Sequence, residues 1–330
     1  MEGGIINIKI RREEPADYNE IANLCYNSFV NWHDTDYKAE PIITAALRHN
    51  QYYDPELSIV AEVDNRIVGH AFFSTFPCVV MGKRRKGIFL APLCVDVDMQ
   101  KQGIGGALIE AGHDIAGKKG VSLSLLCGHE NYYPRFGYKN KMFALSGTKL
   151  FLYADGIDVG GISERQVKSS DLQWVKDLWK DIHGNDRLAM YPGDNISQWF
   201  NHTLIYRSSI LVKGDSVLGY IRYRTTYPIE VKEILPFDGN GATIMAYVMK
   251  KHFNKSEGEI LLSLCLEDAS MLLKNSQNIE IEEHVNTNAA FMLKVLDEKD
   301  EAIKQYCKEA ALSEKNLGVI AFPAVLDIDD

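Results

Sequence analysis

No run of apolar residues in the chain approaches the roughly 20 that a helix needs to cross a bilayer. Met1-Glu2-Gly3-Gly4 opens without the basic segment and apolar core of a secretory leader. No membrane partner and a cytoplasmic location are therefore the expectations. An excess of basic charge is missing as well. The net charge of −9 argues against a nucleic-acid partner, because such binding needs cations that displace counterions from phosphates. The basic cluster Lys83-Arg84-Arg85-Lys86 is bracketed by Gly82 and Gly87 and reads as a solvated hairpin tip. None of the six cysteines forms a C-x-x-C pair, which leaves no sequence signal for a metal or a redox motif. Cys25, Cys78, Cys94, Cys127, Cys265 and Cys307 lie in apolar runs and are expected to be reduced, mostly buried thiols.

What is present suffices for two ordinary domains: 330 residues, 46% of them apolar. The plan occurs twice. Ala16-Asp17-Tyr18 and Ser170-Asp171-Leu172 both open helix-like segments, with Asp17 and Asp171 placed to favour the first-turn amides. A strand–turn–strand pattern around Asp64-Asn65, ending at Gly69, returns around Gly214-Asp215, ending at Gly219. The expectation is an α/β chain (α+β, mixed sheet) of two duplicated domains, 1–155 and 162–330, joined where Gly156, Gly160 and Gly161 cluster. Trp174, Trp179 and Trp199 read as packing residues.

The segment 93–138 carries the chemistry. Leu93-Cys94-Val95 ends an apolar strand. Gln100-Lys101-Gln102-Gly103-Ile104-Gly105-Gly106 follows, then Ala107 and an amphipathic helix to about residue 118. A second buried strand over 121–127 leads to Tyr132-Tyr133-Pro134-Arg135-Phe136-Gly137-Tyr138. A glycine turn between strand and helix exposes backbone amides at the positive end of a helix dipole, which suits phosphate. It is not a P-loop, since G-x-x-x-x-G-K-[ST] is absent. Nor does it fit a dinucleotide site. Leu108 stands where the third glycine belongs, and the next strand ends in Cys127 rather than an acid.

The pattern Q-x-x-G-x-G-G at 100–106, followed by Tyr133-Pro134-Arg135-Phe136-Gly137-Tyr138, resembles the GNAT superfamily of N-acetyltransferases. The likeness spans about residues 5–153. It implies acetyl-CoA as cosubstrate, held by Gln100, Lys101, Gln102, Gly103, Ile104, Gly105, Gly106 and Ala107. The pantetheine arm would lie in a splayed gap beside Leu93, Cys94 and Val95, and Asn131 would touch the arm. Tyr133 aligns with the general acid, and Tyr132 is its near neighbour. The acceptor would be a small-molecule or peptide amine. Trp32, His33, Asp34 and Asp36, in the loop between the first two helices, are candidate acceptor contacts. The sequence departs from much of the family at the base: Phe89 stands where some members carry a glutamate. The base is left open, with His129 and Glu130 close to Tyr133 in sequence and a water relay as the other route.

In the second half, Pro236-Phe237-Asp238-Gly239-Asn240-Gly241 keeps glycines but sets an acid where a pyrophosphate would lie, and no tyrosine turn follows. A degenerate acetyltransferase-like domain is expected there. The tandem plan resembles the bacterial enhanced intracellular survival acetyltransferases without their further C-terminal domain. That likeness points to a role for the terminal carboxylate, here Asp330. A non-catalytic acyl-CoA sensor on the same fold is the alternative reading. A homo-oligomer is compatible with either.

Overall fold

A computed structural model describes residues 7–30, 39–201, 203–274 and 276–326. The first half runs β1 (Lys9–Arg12), α1 (Tyr18–Phe29), α2 (Ala39–Leu47), β2 (Ser58–Val63), β3 (Arg66–Val80), β4 (Lys83–Val95), α3 (Ile104–Lys118), β5 (Leu123–Cys127) and β6 (Ser146–Tyr153). The second half begins with β7 (Ile162–Arg165), α4 (Leu172–His183), β8 (Leu188–Met190), β9 (Tyr206–Lys213), β10 (Ser216–Arg224), β11 (Ile229–Pro236) and α5 (Gly241–His252). It ends with β12 (Glu257–Leu262), α6 (Leu266–Leu273), β13 (Ile279–Asn286), β14 (Phe291–Val295) and α7 (Glu301–Leu312).

The two halves share one local motif at atomic detail. Arg11 grips both oxygens of Asp17 at 2.6 and 3.0 Å, and Asp17 also accepts from the Glu14 amide at 2.7 Å. Arg165 grips Asp171 at 2.7 and 2.8 Å, and Asp171 accepts from the Lys168 amide at 2.8 Å. The arginine, the aspartate and the position of the donating amide all recur 154 residues later. A strand end is thereby tied to the start of the next helix in each half, by charge-assisted bidentate bonds.

The two sheets do not follow the sequence division at 155–162. One is ordered β1-β2-β3-β4-β5-β14, with β8 pairing β3, and the other β13-β6-β12-β11-β10-β9-β7. The halves thus exchange strands: the second half gives β14, antiparallel to β5, and β8, paired with β3, while β6 of the first half lies between β12 and β13. A shared core follows, in which Phe143 stacks on Phe291 at 5.1 Å and Phe322 meets Phe89 at 5.2 Å. Between the tyrosine turn and residue 153 the chain forms the strand β6, and between β8 and β9 it forms a 3-10 turn, Ile196–Trp199. The basic cluster 83–86 opens β4 at the tip of the β3–β4 hairpin, where Lys83, Arg84 and Lys86 are exposed and Arg85 is paired with Asp300. Trp179 and Trp199 are buried and Trp174 lies tilted against Phe237 at 5.0 Å, all as packing residues.

His183 at the end of α4 is fully enclosed, with Nδ1 2.7 Å from Asp186 and Nε2 3.0 Å from Glu233. Burial opposes its charge, but the two carboxylates outweigh it and lift the imidazole to about 10. An unfolded histidine titrates near 6.5. The stabilisation is therefore complete below pH 6.5 and drains away as pH rises toward 10, at about 1.4 kcal/mol per pH unit. Urea midpoints measured across this range should fall for the native protein. The His183→Gln variant, weaker at neutral pH, should show a flatter alkaline limb.

Candidate active site

The site begins with a failure of strand pairing. β4 and β5 run parallel only from Gly87–Phe89 against Leu123–Leu125. Beyond Phe89, β4 continues to Val95 and β5 to Cys127 without pairing. On its other edge β4 shifts register against β3 between Ala71 and Phe73, so three steps on β4 oppose two on β3. The bulge turns Leu93–Val95 away from β5. The result is a cleft of about 1300 Å³ between the two strand ends, lined by Leu93, Cys94, Val95, Cys127, Tyr132 and Tyr133 among others. This is the bulge and splay that the family resemblance implied.

At the mouth of the cleft the chain turns into α3. Lys101 and Gly103 both take positive φ, 62° and 86°, and Gly103 caps the helix without a side-chain bond to its first turn. Left-handed residues beside an uncapped helix N-terminus leave several amides facing one point, an arrangement that binds anions. A Cβ on Gly105 would lie 2.5 Å from Tyr132 Oη, and one on Gly106 would lie 3.0 Å from the Phe136 ring. The glycines are thus where the helix start meets the aromatic turn, a contact that any side chain would block.

The tyrosine turn is a short 3-10 helix, Tyr133–Phe136, stopped by Gly137 at φ 85°. Tyr133 lies edge-on to Tyr132 at 5.1 Å and to Tyr138 at 5.9 Å. Its ring also covers Gly128, where a Cβ would approach it to 2.4 Å. Burial, with a lesser contribution from Tyr132, holds the Tyr133 phenol well above the usual tyrosine range, so it is protonated at physiological pH. Behind it, Tyr138 Oη lies 2.6 Å from Ser124 Oγ and 2.9 Å from His113 Nε2. Lys294 Nζ stands 3.1 Å from His113 Nδ1, and burial together with this cation lowers His113 to about 3. This neutral histidine locks the rings on which Tyr133 rests, and Lys294 is delivered by the exchanged strand β14.

Most of the residues expected at the site meet here: Leu93, Cys94, Val95, Gln100, Lys101, Gly103, Ile104, Gly105, Gly106, Ala107 and Tyr133 all line the cleft. Gln102 instead reaches back to the Asp98 carbonyl at 3.3 Å, and Asn131 is exposed at the start of the tyrosine turn. Neither belongs to the cleft lining. His129 and Glu130 do line it, whereas Phe89 is buried against Phe322. Trp32, His33, Asp34 and Asp36 lie outside the described residues, as does Asp330. Cys127 departs from the expectation of a buried thiol, since it opens onto the cleft. Its side chain is reached from the cleft, yet the protein packed around that cleft withholds water from it and pushes its thiol up to about 12. Two contributors escaped sequence reasoning. Glu40, in the first turn of α2, brings a buried carboxylate, and the loop Asn288-Ala289-Ala290 comes from the second half.

The acetyltransferase (GNAT) domain family matches residues 9–140, the stretch that builds this cleft. The chain also superposes on a GCN5-related N-acetyltransferase from Anabaena variabilis with a TM-score of 0.63 at 13% identity, covering 88% of this chain and 73% of that one. The fold is that of the GNAT acetyltransferases. Eis1 from Mycobacterium abscessus gives a TM-score of 0.58 at 15% identity, over 93% of this chain and 76% of that one. Both superpositions take in the two GNAT-like sheets rather than one. In sequence, an uncharacterized N-acetyltransferase of Escherichia coli, YjhQ, is 30% identical over 105 residues. That match covers 31% of this chain and 57% of YjhQ.

Proposed function

We propose that the protein is an acetyl-CoA-dependent N-acetyltransferase acting on a primary amine by direct attack in a ternary complex. The observation that carries this is the convergence of a phosphate-binding helix start, a splayed strand pair and a protonated Tyr133 on one cleft. The pyrophosphate of acetyl-CoA would be held by the amides of residues 103–107, with Gln100 and Lys101 at the rim. The pantetheine arm would take the place of the missing strand partner, and a backbone N–H of 93–95 would stabilise the oxyanion. Tyr133 would protonate the departing thiolate.

Direct attack is favoured over a covalent acetyl-enzyme. Of the two thiols at the cleft, Cys94 is buried in the core and Cys127 is held neutral by the protein around it, and a neutral thiol is a poor nucleophile. The incoming ammonium must lose a proton, and β4 carries no acid to take it. Glu40 is the buried carboxylate of this wall, and we assign it that role, directly or through water. The Glu40→Gln variant should lower kcat/KM by about tenfold to a hundredfold and remove the acid-side limb of its pH profile. An unchanged limb would clear Glu40 of the role.

The second half would hold no cofactor. A Cβ on Gly241 would lie 2.3 Å from Leu272, so α6 occupies the space in front of the second glycine turn. Its contribution would be the loop 288–290 on the acceptor side of the first cleft. Thiol release from acetyl-CoA across a panel of aliphatic, polyamine and peptide amines tests the reading. Turnover on at least one class is expected. Tight acetyl-CoA binding without turnover on any amine would make the protein an acyl-CoA sensor instead.

A further inference from the structure

Beside the cleft, three side chains from three elements meet in the core. Cys25 of α1, His70 of β3 and Cys94 of β4 are at most 2% exposed. Their ligand atoms all lie within 4.8 Å of one another, and the two Sγ atoms are 3.2 Å apart. His70 is oriented from behind. Its Nε2 lies 3.4 Å from Glu13 and 3.1 Å from Ser58, while Nδ1 has no hydrogen-bond partner. Glu13 is itself fixed by Arg48 at 2.7 and 2.9 Å and by Tyr53 at 2.9 Å. A carboxylate so held accepts from Nε2–H, which leaves the Nδ1 lone pair to serve the two sulfurs. A carboxylate behind a histidine whose other nitrogen faces thiols is the usual outer support of a metal-bound imidazole.

We propose that Cys25, Cys94 and His70 Nδ1 form a zinc site, with a water molecule from the cleft that Cys94 borders as the fourth ligand and Glu13 as outer support. Two thiolates and a neutral imidazole with Zn²⁺ sum to zero charge, and Glu13 with Arg48 does the same, so the core carries no net charge. A monovalent soft ion would leave one negative charge buried. Tetrahedral zinc with Zn–S near 2.3 Å sets its sulfurs about 3.8 Å apart, so the pair opens by roughly half an ångström on binding. A disulfide would use both sulfurs and leave His70 Nδ1 and its carboxylate support without a role. The zinc would staple α1 to β3 and β4 beside the β4 bulge, and so fix the strand that bounds the cleft. The spacing of the ligands in sequence gives no hint of this, since each comes from a different element. The proposal is independent of the acetyltransferase reading.

The test is metal analysis of the full chain purified under reducing conditions, followed by cobalt(II) substitution. About one zinc per chain is expected, and the cobalt form should show the thiolate charge-transfer and intense d–d bands of tetrahedral coordination. Cys25→Ser, Cys94→Ser and His70→Gln should each lose the metal, while Cys265→Ser keeps it. Glu13→Gln should weaken zinc binding about 10- to 100-fold in competition with a chromogenic indicator. The cobalt spectrum of the unmutated chain decides the matter should the variants fail to fold. No retained zinc with no cobalt thiolate bands overturns the proposal. So does a Cys25–Cys94 disulfide in the reduced-purified chain, or zinc that survives His70→Gln.

Discussion

Replacing Tyr133 with Phe should lower kcat at least tenfold while leaving acetyl-CoA affinity within about twofold. General acid catalysis contributes roughly a hundredfold or more in favourable cases. A thiolate, with a conjugate acid near 8.5, needs less help than an alkoxide, which sets the lower expectation. The phenylalanine ring keeps the edge-on contacts to Tyr132 and Tyr138 and the cover over Gly128, so the cleft retains its shape. Burial holds the phenol above the usual tyrosine range, so the native kcat should show no loss from this group as pH rises to 10. Steady-state thiol release gives kcat, and equilibrium titration gives affinity. Tyr132→Phe is the comparison, with only a small change in kcat expected, because Tyr132 Oη faces Gly105 at the helix start. Equal effects from the two substitutions would assign the tyrosines to packing.

Gly105→Val should weaken acetyl-CoA binding by more than tenfold. A Cβ there meets Tyr132 Oη at 2.5 Å, the far end of a half-buried side chain that swings aside more readily than backbone would. Overpacking costs about 1–3 kcal/mol, and relief by rotation of Tyr132 carries that ring into the cleft. The loss then appears in affinity more than in stability. Gly241→Val in the second half provides the contrast. Its Cβ strikes Leu272 and Leu273 of α6, so it should lower the melting temperature and leave acetyl-CoA affinity unchanged. Calorimetric titration and thermal melts of both variants separate the two frames. Reduced affinity in Gly241→Val at a temperature where it is folded would mean that the second turn also serves a ligand.

The glycine turn and the tyrosine turn were legible because each is a contiguous stretch whose residue types are demanded by local geometry. Gly103 must reach φ 86°, and Gly137 must reach 85°. The shared motif was legible through Asp17 and Asp171, although their partners Arg11 and Arg165 gave no signal until the strands carrying them were placed. The exchange of β6 and β14 was not legible. Phe291-Met292-Leu293-Lys294-Val295 has the pattern of a half-buried strand, but alternation says nothing about which sheet receives it. Glu40 and the loop 288–290 were missed for the same reason, since tertiary placement alone brings them to the cleft. The acceptor contacts expected at Trp32, His33, Asp34 and Asp36 stand as a proposal to be tested by substitution.

The central claim is that a single cleft, between β4 and β5, takes acetyl-CoA and positions its thioester beside Tyr133. A crystal structure of the acetyl-CoA complex tests it most directly. The account predicts one cofactor per chain, with pyrophosphate on the amides of 103–107. The thioester carbonyl should lie within hydrogen-bond reach of a backbone N–H of 93–95, and Tyr133 Oη should face the sulfur. Cofactor seated on the turn at 237–241, or a thioester turned away from Tyr133, would contradict it.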